Sequence, residues 1–253
     1  MFAGGEGETE SLGIGEARRL KMRQVLVLAV AMFVGSVAQA QNGKIITSQD
    51  FANNAPRCSK GTASFKVAVG PKLPAYQIRL VQDPVSAEIA TLHHVGRIEI
   101  SQGRSLLETI EINSIWSDSL CSFFEMKDVN FDGYLDIAVL RDGGGKWSRY
   151  DYYVFDRVSD RFVTNALTED LAQVKSSGIV LDAGSQQIQA PFFKGRCAGV
   201  DTYKIATGRL EKIQIQEITP TGDECRITVK QNLQGTWEVV RSSRTFDMSG
   251  PGF

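Results

Sequence analysis

The sequence predicts an all-β fold built from antiparallel hairpins. Three observations carry the prediction. After residue 41 short alternating apolar and polar runs recur, with Gly- or Asn-containing turn signals about every ten residues. A single oxygen-rich loop, Asp128 to Asp136, runs straight into the apolar strand-like segment Leu135 to Leu140. Only one stretch, near Asn165–Lys175, has helical spacing, with Leu167, Leu171 and Val174 sharing a face. Short strands with regular turns are the pattern of a sandwich, a barrel or a propeller.

The chain opens with residues 1–21, which lack apolar periodicity and read as an extension ahead of the true start at Met22. Residues 22–40 have the three parts of a secretory signal peptide: a charged start at Arg23, an apolar core from Val25 to Val37, and Ala38-Gln39-Ala40 as a small-x-small cleavage site. The apolar core is short for a transmembrane helix, although an uncleaved N-terminal anchor is the alternative. No cysteine stands beside the cleavage point, so a lipid anchor has no support. The expectation is a periplasmic protein, residues 41–253, forming a single β domain.

Charge excludes some partners. The chain holds 28 Lys and Arg against 29 Asp and Glu, a net −1, and residues 1–40 carry four of each sign, so cleavage leaves the balance unchanged. That gives no case for nucleic acid or an anionic membrane surface. All four cysteines, Cys58, Cys121, Cys197 and Cys225, lie in the expected mature part. Behind a signal peptide, an even count suggests two disulfides. Three connectivities are open; proximity favours Cys58–Cys121 and Cys197–Cys225. No pair has C-x-x-C spacing and no histidine flanks them, which argues against zinc.

The expected strands are Tyr76–Gln82, Gly96–Ser101, Leu106–Ile112, Tyr150–Asp156, Arg161–Thr164, Gly199–Ala206, Leu210–Ile218, Cys225–Lys230 and Thr236–Arg241. The prolines stay out of the stretch between Pro84 and Pro191, leaving the strands around the oxygen-rich loop unbroken. No internal repeat is strong enough to count blades.

The oxygen-rich loop has the chemistry of a calcium site. Calcium takes six to eight hard oxygen ligands at roughly 2.3–2.6 Å. Asp128, Asn130 and Asp132 stand at positions 1, 3 and 5, Gly133 permits the sharp turn at 6, the Tyr134 carbonyl stands at 7, and Asp136 at 9 binds directly or through water. An Asp-Gly hairpin with solvated acids is the plainer alternative. An EF-hand is excluded, because position 12 is Val139 rather than a bidentate Glu and no helix follows.

Catalytic patterns are otherwise missing. His93 and His94 are the only histidines, adjacent and directed to opposite faces of any strand, with no G-x-S-x-G elbow to serve. Gly143-Gly144-Gly145 leads into a strand, not a helix, and so makes no phosphate cradle. Nothing selects a pair of acids for glycoside hydrolysis. The reading is of a protein that is not an enzyme. The loop from Asp142 to Tyr150 instead has the composition of a protein-binding hot spot. Asp142, Lys146, Trp147, Arg149, Tyr150 and Tyr152 are the candidate contact residues, with the aromatics filling the core as the alternative.

The run Phe123–Phe162 resembles a bacterial family of periplasmic proteins with one FG-GAP/VCBS-type calcium loop and a propeller-like β fold. The features that carry the resemblance are Lys-Asp-Val-Asn-Phe-Asp-Gly-Tyr-Leu-Asp-Ile-Ala-Val, the Gly-rich loop, Tyr-x-Tyr-Tyr-Val-Phe-Asp, and a closing Arg-Phe. The family includes immunity proteins that inhibit lysozyme-like peptidoglycan hydrolases delivered by bacterium-killing type IV secretion systems. The resemblance implies a propeller-like arrangement (a β-sandwich being the alternative), calcium on Asp128, Asn130, Asp132, Tyr134 and Asp136, and a hydrolase as partner. A structural or adhesive calcium module that recognises a surface protein or glycan is the competing function.

Overall fold

The computed structural model describes residues 45–46, 63–82, 94–112 and 123–246. The predicted extension, signal peptide, Cys58, His93 and Cys121 lie outside the described residues. Among the described residues three sheets follow one another along the chain, each with its strands side by side in chain order and antiparallel but for one pair, and none closes into a barrel. The first holds β1 (Ile45–Ile46), β2 (Ala63–Val67), β3 (Tyr76–Gln82), β4 (Val95–Gln102) and β5 (Ser105–Glu111), in that order. Only its β1–β2 pair is parallel. The second holds β6 (Phe124–Lys127), β7 (Asp136–Gly144), β8 (Trp147–Asp156) and β9 (Arg161–Val163). The third runs β10 (Val180–Asp182), β11 (Gln187–Lys194), β12 (Cys197–Ala206), β13 (Arg209–Thr221), β14 (Glu224–Leu233) and β15 (Thr236–Phe246).

Between the second and third sheets lies α1 (Ala166–Leu171). The Asn165 side chain accepts from the Thr168 amide, and the Thr168 hydroxyl accepts from the Asn165 amide, so two orphan donors are met at once. The helix is shorter than its apolar spacing suggested. Beyond Leu171 the chain tightens into bonds from Gln173 to the Asp170 carbonyl and from Val174 to the Leu171 carbonyl. Leu167, Leu171 and Val174 are nevertheless all buried.

Strand β7 explains the position of the core. Asp136, Ile137, Ala138 and Val139 are all buried, so both faces of this strand are covered, and its sequence reads as a continuous apolar run. Ile137 and Val139 join Phe65, Ile78, Leu80, Phe124 and Phe155 in one core. Ala138 joins Val129, Tyr152, Val154, Leu167, Leu171 and Ile188 in a second. Strand β8 divides its aromatics in the same way, Tyr152 to the second core and Phe155 to the first, as strict alternation requires. A third small cluster, Cys197, Ile218 and Cys225, sits around the Cys197–Cys225 disulfide.

Two prolines fall inside strands. Pro191 lies in β11 beyond the reach of the short β10, which pairs only Gln187 to Gln189. Pro220 lies in β13 past the end of its pairing with β12 at Gln214. Each therefore occupies an edge position, where a missing N–H breaks no ladder.

Candidate functional site

The loop between β6 and β7 is fastened to both cores. Val129, at its start, is fully buried in the second core, and Leu135, at its end, is buried in the first. The Leu135 amide donates to the Val69 carbonyl at 2.7 Å. Tyr134 packs on Phe155, with ring centroids 5.6 Å apart. Its ring lies so close to Gly70 that a Cβ there would stand 2.2 Å from Cδ1. Gly133 takes φ +87°, in the left-handed region that Gly accepts without cost, while Phe131 takes φ +60°, which costs a residue with a Cβ.

Inside the turn the oxygens gather on a few amides. Asp128 accepts from the Asp132 amide at 3.1 Å and the Gly133 amide at 2.9 Å. Asn130 Oδ1 accepts from the same Asp132 amide at 3.2 Å. Asp132 accepts from the Tyr134 amide and from the Asn130 side chain, both at 2.8 Å. Burial raises the Asp128 carboxyl above its ordinary range, and the nearby Asp132 charge adds to this, while backbone donors oppose it.

Asp136 is placed differently from its neighbours in the motif. It is fully buried, and its two oxygens accept from the Val129 amide at 2.9 Å and the Phe155 amide at 2.8 Å. One carboxyl thus ties the start of the loop to strand β8. Burial pushes it up to about 8, against the pull of the two amides. Among the described residues no group of three His, Cys, Asp or Glu side chains converges closely enough, as they stand, to hold a metal. The oxygens of Asp128, Asn130, Asp132 and the Tyr134 carbonyl are of the hard type that calcium takes, and the side-chain ones are turned onto the loop's own amides. Each oxygen that takes one amide keeps a second lone pair, and a cation there would offset the burial that chiefly disfavours the Asp128 charge, with the Asp132 charge a smaller part.

The β7–β8 hairpin carries the second group of candidates. Its turn is Gly145-Lys146, between Gly144 and Trp147, and an irregularity at Arg141 shifts the register just below the tip. Several contacts brace it. Arg149 holds Asp142 through two guanidinium nitrogens, Nε at 2.9 Å, which keeps the Asp142 carboxyl below its usual range. Arg141 donates to Asp151 at 3.1 Å and to the Ala172 carbonyl at 2.8 Å. Ser148 and Ser176 exchange backbone bonds, and the Lys146 ammonium donates to the Gly195 carbonyl at 3.0 Å in the β11–β12 turn.

Trp147 stands at this tip, 38% exposed. Lys175 lies over its ring at 4.9 Å and Arg149 at 5.8 Å. Tyr150 is half-buried, its hydroxyl donating to Glu125 at 3.3 Å, and burial with the Glu125 charge pushes it up to about 12. Tyr152 needs a correction: it is 3% exposed and belongs to the second core, so it is not available to a partner. The alternation along β8 carried the signal, since Tyr152 shares a face with Val154. Sequence reasoning missed Lys175 and the β11–β12 turn, which only the folded chain brings to the tip.

A solved structure shares this fold. It is described as "Structure of a Xanthomonas Type IV Secretion System related protein", and it aligns with a TM-score of 0.50 at 13% identity over 72% of this chain and 100% of its own. At that identity the likeness is one of fold. No protein-family model matches the chain, and no curated protein matches it. Among the described residues no helix is long and apolar enough to cross a membrane.

Proposed function

We propose that this chain is a periplasmic, calcium-stapled binding protein, an immunity protein that inhibits a lysozyme-like peptidoglycan hydrolase delivered by a type IV secretion system. The observation that carries the reading is the braced hairpin tip. A part-exposed Trp contacted by two cations, on a turn fixed at both flanks, is a pre-organised hot spot that costs little ordering on binding. The likeness to a type IV secretion system related protein supports the secretion-system context. The resemblance of Phe123–Phe162 supports the hydrolase partner and a propeller-like arrangement, with each meander serving as a blade.

In this reading Asp128, Asn130, Asp132 and the Tyr134 carbonyl hold calcium, with Asp136 as the inner support of the loop. Calcium supplies charge compensation where three acids crowd one turn. The chain's own residues do the rest: Asp136 pins the loop to β8, and Tyr134 and Leu135 pin it to the first core. No catalytic residue is required, only a rigid tip presented to a cleft.

The test is inhibition. Residues 41–253, mixed with secreted muramidases from competing bacteria, slow the digestion of peptidoglycan, and Trp147→Ala removes the effect. Binding to isolated cell-wall glycan without inhibition would instead assign the chain to the adhesive modules.

A further inference from the structure

The β7–β8 tip does not stand alone. Lys146 reaches across to the Gly195 carbonyl, so the β11–β12 turn, Lys194-Gly195-Arg196, adjoins the Trp147 hairpin. Lys175 enters from the segment after α1 and covers the Trp147 ring. Three separate parts of the chain thus bring cationic residues to this region: Lys146 and Arg149 on the hairpin, Lys175 over the Trp147 ring, and Lys194 and Arg196 flanking Gly195 in the adjoining turn. Among the described residues Asp142 pairs with Arg149 and Asp223 with Arg196. Among the same residues no carboxylate lies within ion-pair distance of Lys146, Lys175 or Lys194. Three of these cations, Lys146, Lys175 and Lys194, therefore stand without an ion pair among the described residues, in a chain whose net charge is −1.

From this concentration of charge around one exposed aromatic, we infer that the contact surface comprises both turns, and that its partner is an acidic protein surface. The inference rests on the hairpin reading above and adds the sign of the partner and the second turn. Charge complementarity is the argument. Lysines without carboxylate partners repel one another, and an acidic face relieves all three at once. The occupant is a protein because the centre of the patch is a Trp contacted by Lys175 and Arg149, an anchor for one pocket. A polyanionic strand would need a track of charge with several stacking faces, and the patch offers one.

The experiment uses residues 41–253 and two charge reversals of equal size. Lys175→Glu with Lys194→Glu alters the patch. Arg157→Glu with Arg161→Glu, exposed residues in the β8–β9 turn and at the first position of β9, is the control. Binding is measured against a panel of muramidases, a decaglutamate peptide and a sulfated glycan, each across a salt series. The inference expects muramidase binding to fall roughly 10–100-fold in the patch variant, to change less than about threefold in the control, and to weaken steadily with salt. If Trp147→Ala abolishes muramidase binding while the patch variant and salt leave it unchanged, the hairpin reading stands and this inference is overturned. If no muramidase binds, the hairpin reading fails, and decaglutamate decides: binding lost only in the patch variant upholds an acidic partner, and no binding overturns it. Tighter binding to the sulfated glycan than to decaglutamate also overturns it.

Discussion

Replacing Asp136 with Ala separates a load carried inside the loop from one carried by a bound cation. In the folded protein this carboxyl accepts two amides, Val129 at 2.9 Å and Phe155 at 2.8 Å, both buried. Alanine leaves both donors without a partner in a site closed to water. An unsatisfied buried donor costs about 1–3 kcal/mol, so the pair costs roughly 2–6 kcal/mol. Part of this is offset, because the carboxyl is itself poorly placed for charge: burial pushes it up to about 8. A net loss of about 2–4 kcal/mol is expected. Asp136→Asn keeps one acceptor and turns an NH₂ toward the other amide, so its loss is about half as large, roughly 1–2 kcal/mol. The assay is urea unfolding in excess chelator, followed by tryptophan fluorescence. With a slope of about 2–3 kcal/mol/M, the alanine variant shifts the midpoint down by roughly 0.7–2 M at unchanged slope. A loss under about 0.5 kcal/mol for both variants would refute the reasoning, because Asp136 would then not be holding the loop to β8.

Three further outcomes are expected. Chelation, or Asp132→Ala, lowers the melting temperature by several degrees in scanning calorimetry, and added calcium restores the chelated protein but not the variant; an unchanged melting temperature in both cases would rule out a structural calcium. Cys197→Ser with Cys225→Ser lowers stability by about 3.6 kcal/mol, the loop-closure value for a separation of 28 residues, read by urea unfolding against the oxidised parent. Alkaline stability follows the tyrosines: Tyr150 is pushed up to about 12, and Tyr76 and Tyr152 are pushed higher still by burial. Folded tyrosines keep protons that unfolded ones release above about pH 10, so stability is full below pH 10 and falls as pH rises toward 12. Phenolate absorbance that rises with a single ordinary midpoint, while the fold persists, would contradict this.

Much of the β framework was legible because its signals are local. Alternation in Tyr76–Gln82 and Val95–Gln102, and turn residues such as Thr207-Gly208 and Gln234-Gly235 at positive φ, mark strands and hairpins within a few residues. Strand ends were less legible: β13 runs to Thr221 through Pro220, and Pro220 is harmless only because β12 has already left that edge. Strand β11 was missed for a related reason, since Pro191 argues against a strand unless its outer neighbour is short. The loop oxygens of Asp128, Asn130 and Asp132 were visible as spacing. The inward role of Asp136 was not, because its partner amide on Phe155 is 19 residues away. The approach of Lys175 and Gly195 to Trp147 depends on how distant segments of the chain pack, and no local pattern encodes it.

The central claim is that the braced Trp147 tip of a calcium-stapled scaffold blocks a peptidoglycan hydrolase. Its most direct measurement is the digestion rate of purified peptidoglycan by a type IV-secreted muramidase, with residues 41–253 added in calcium, in chelator, and as Trp147→Ala. The account predicts strong inhibition in calcium, weaker inhibition in chelator and none with the variant. Full enzyme activity in every arm, with no complex formed, would contradict it.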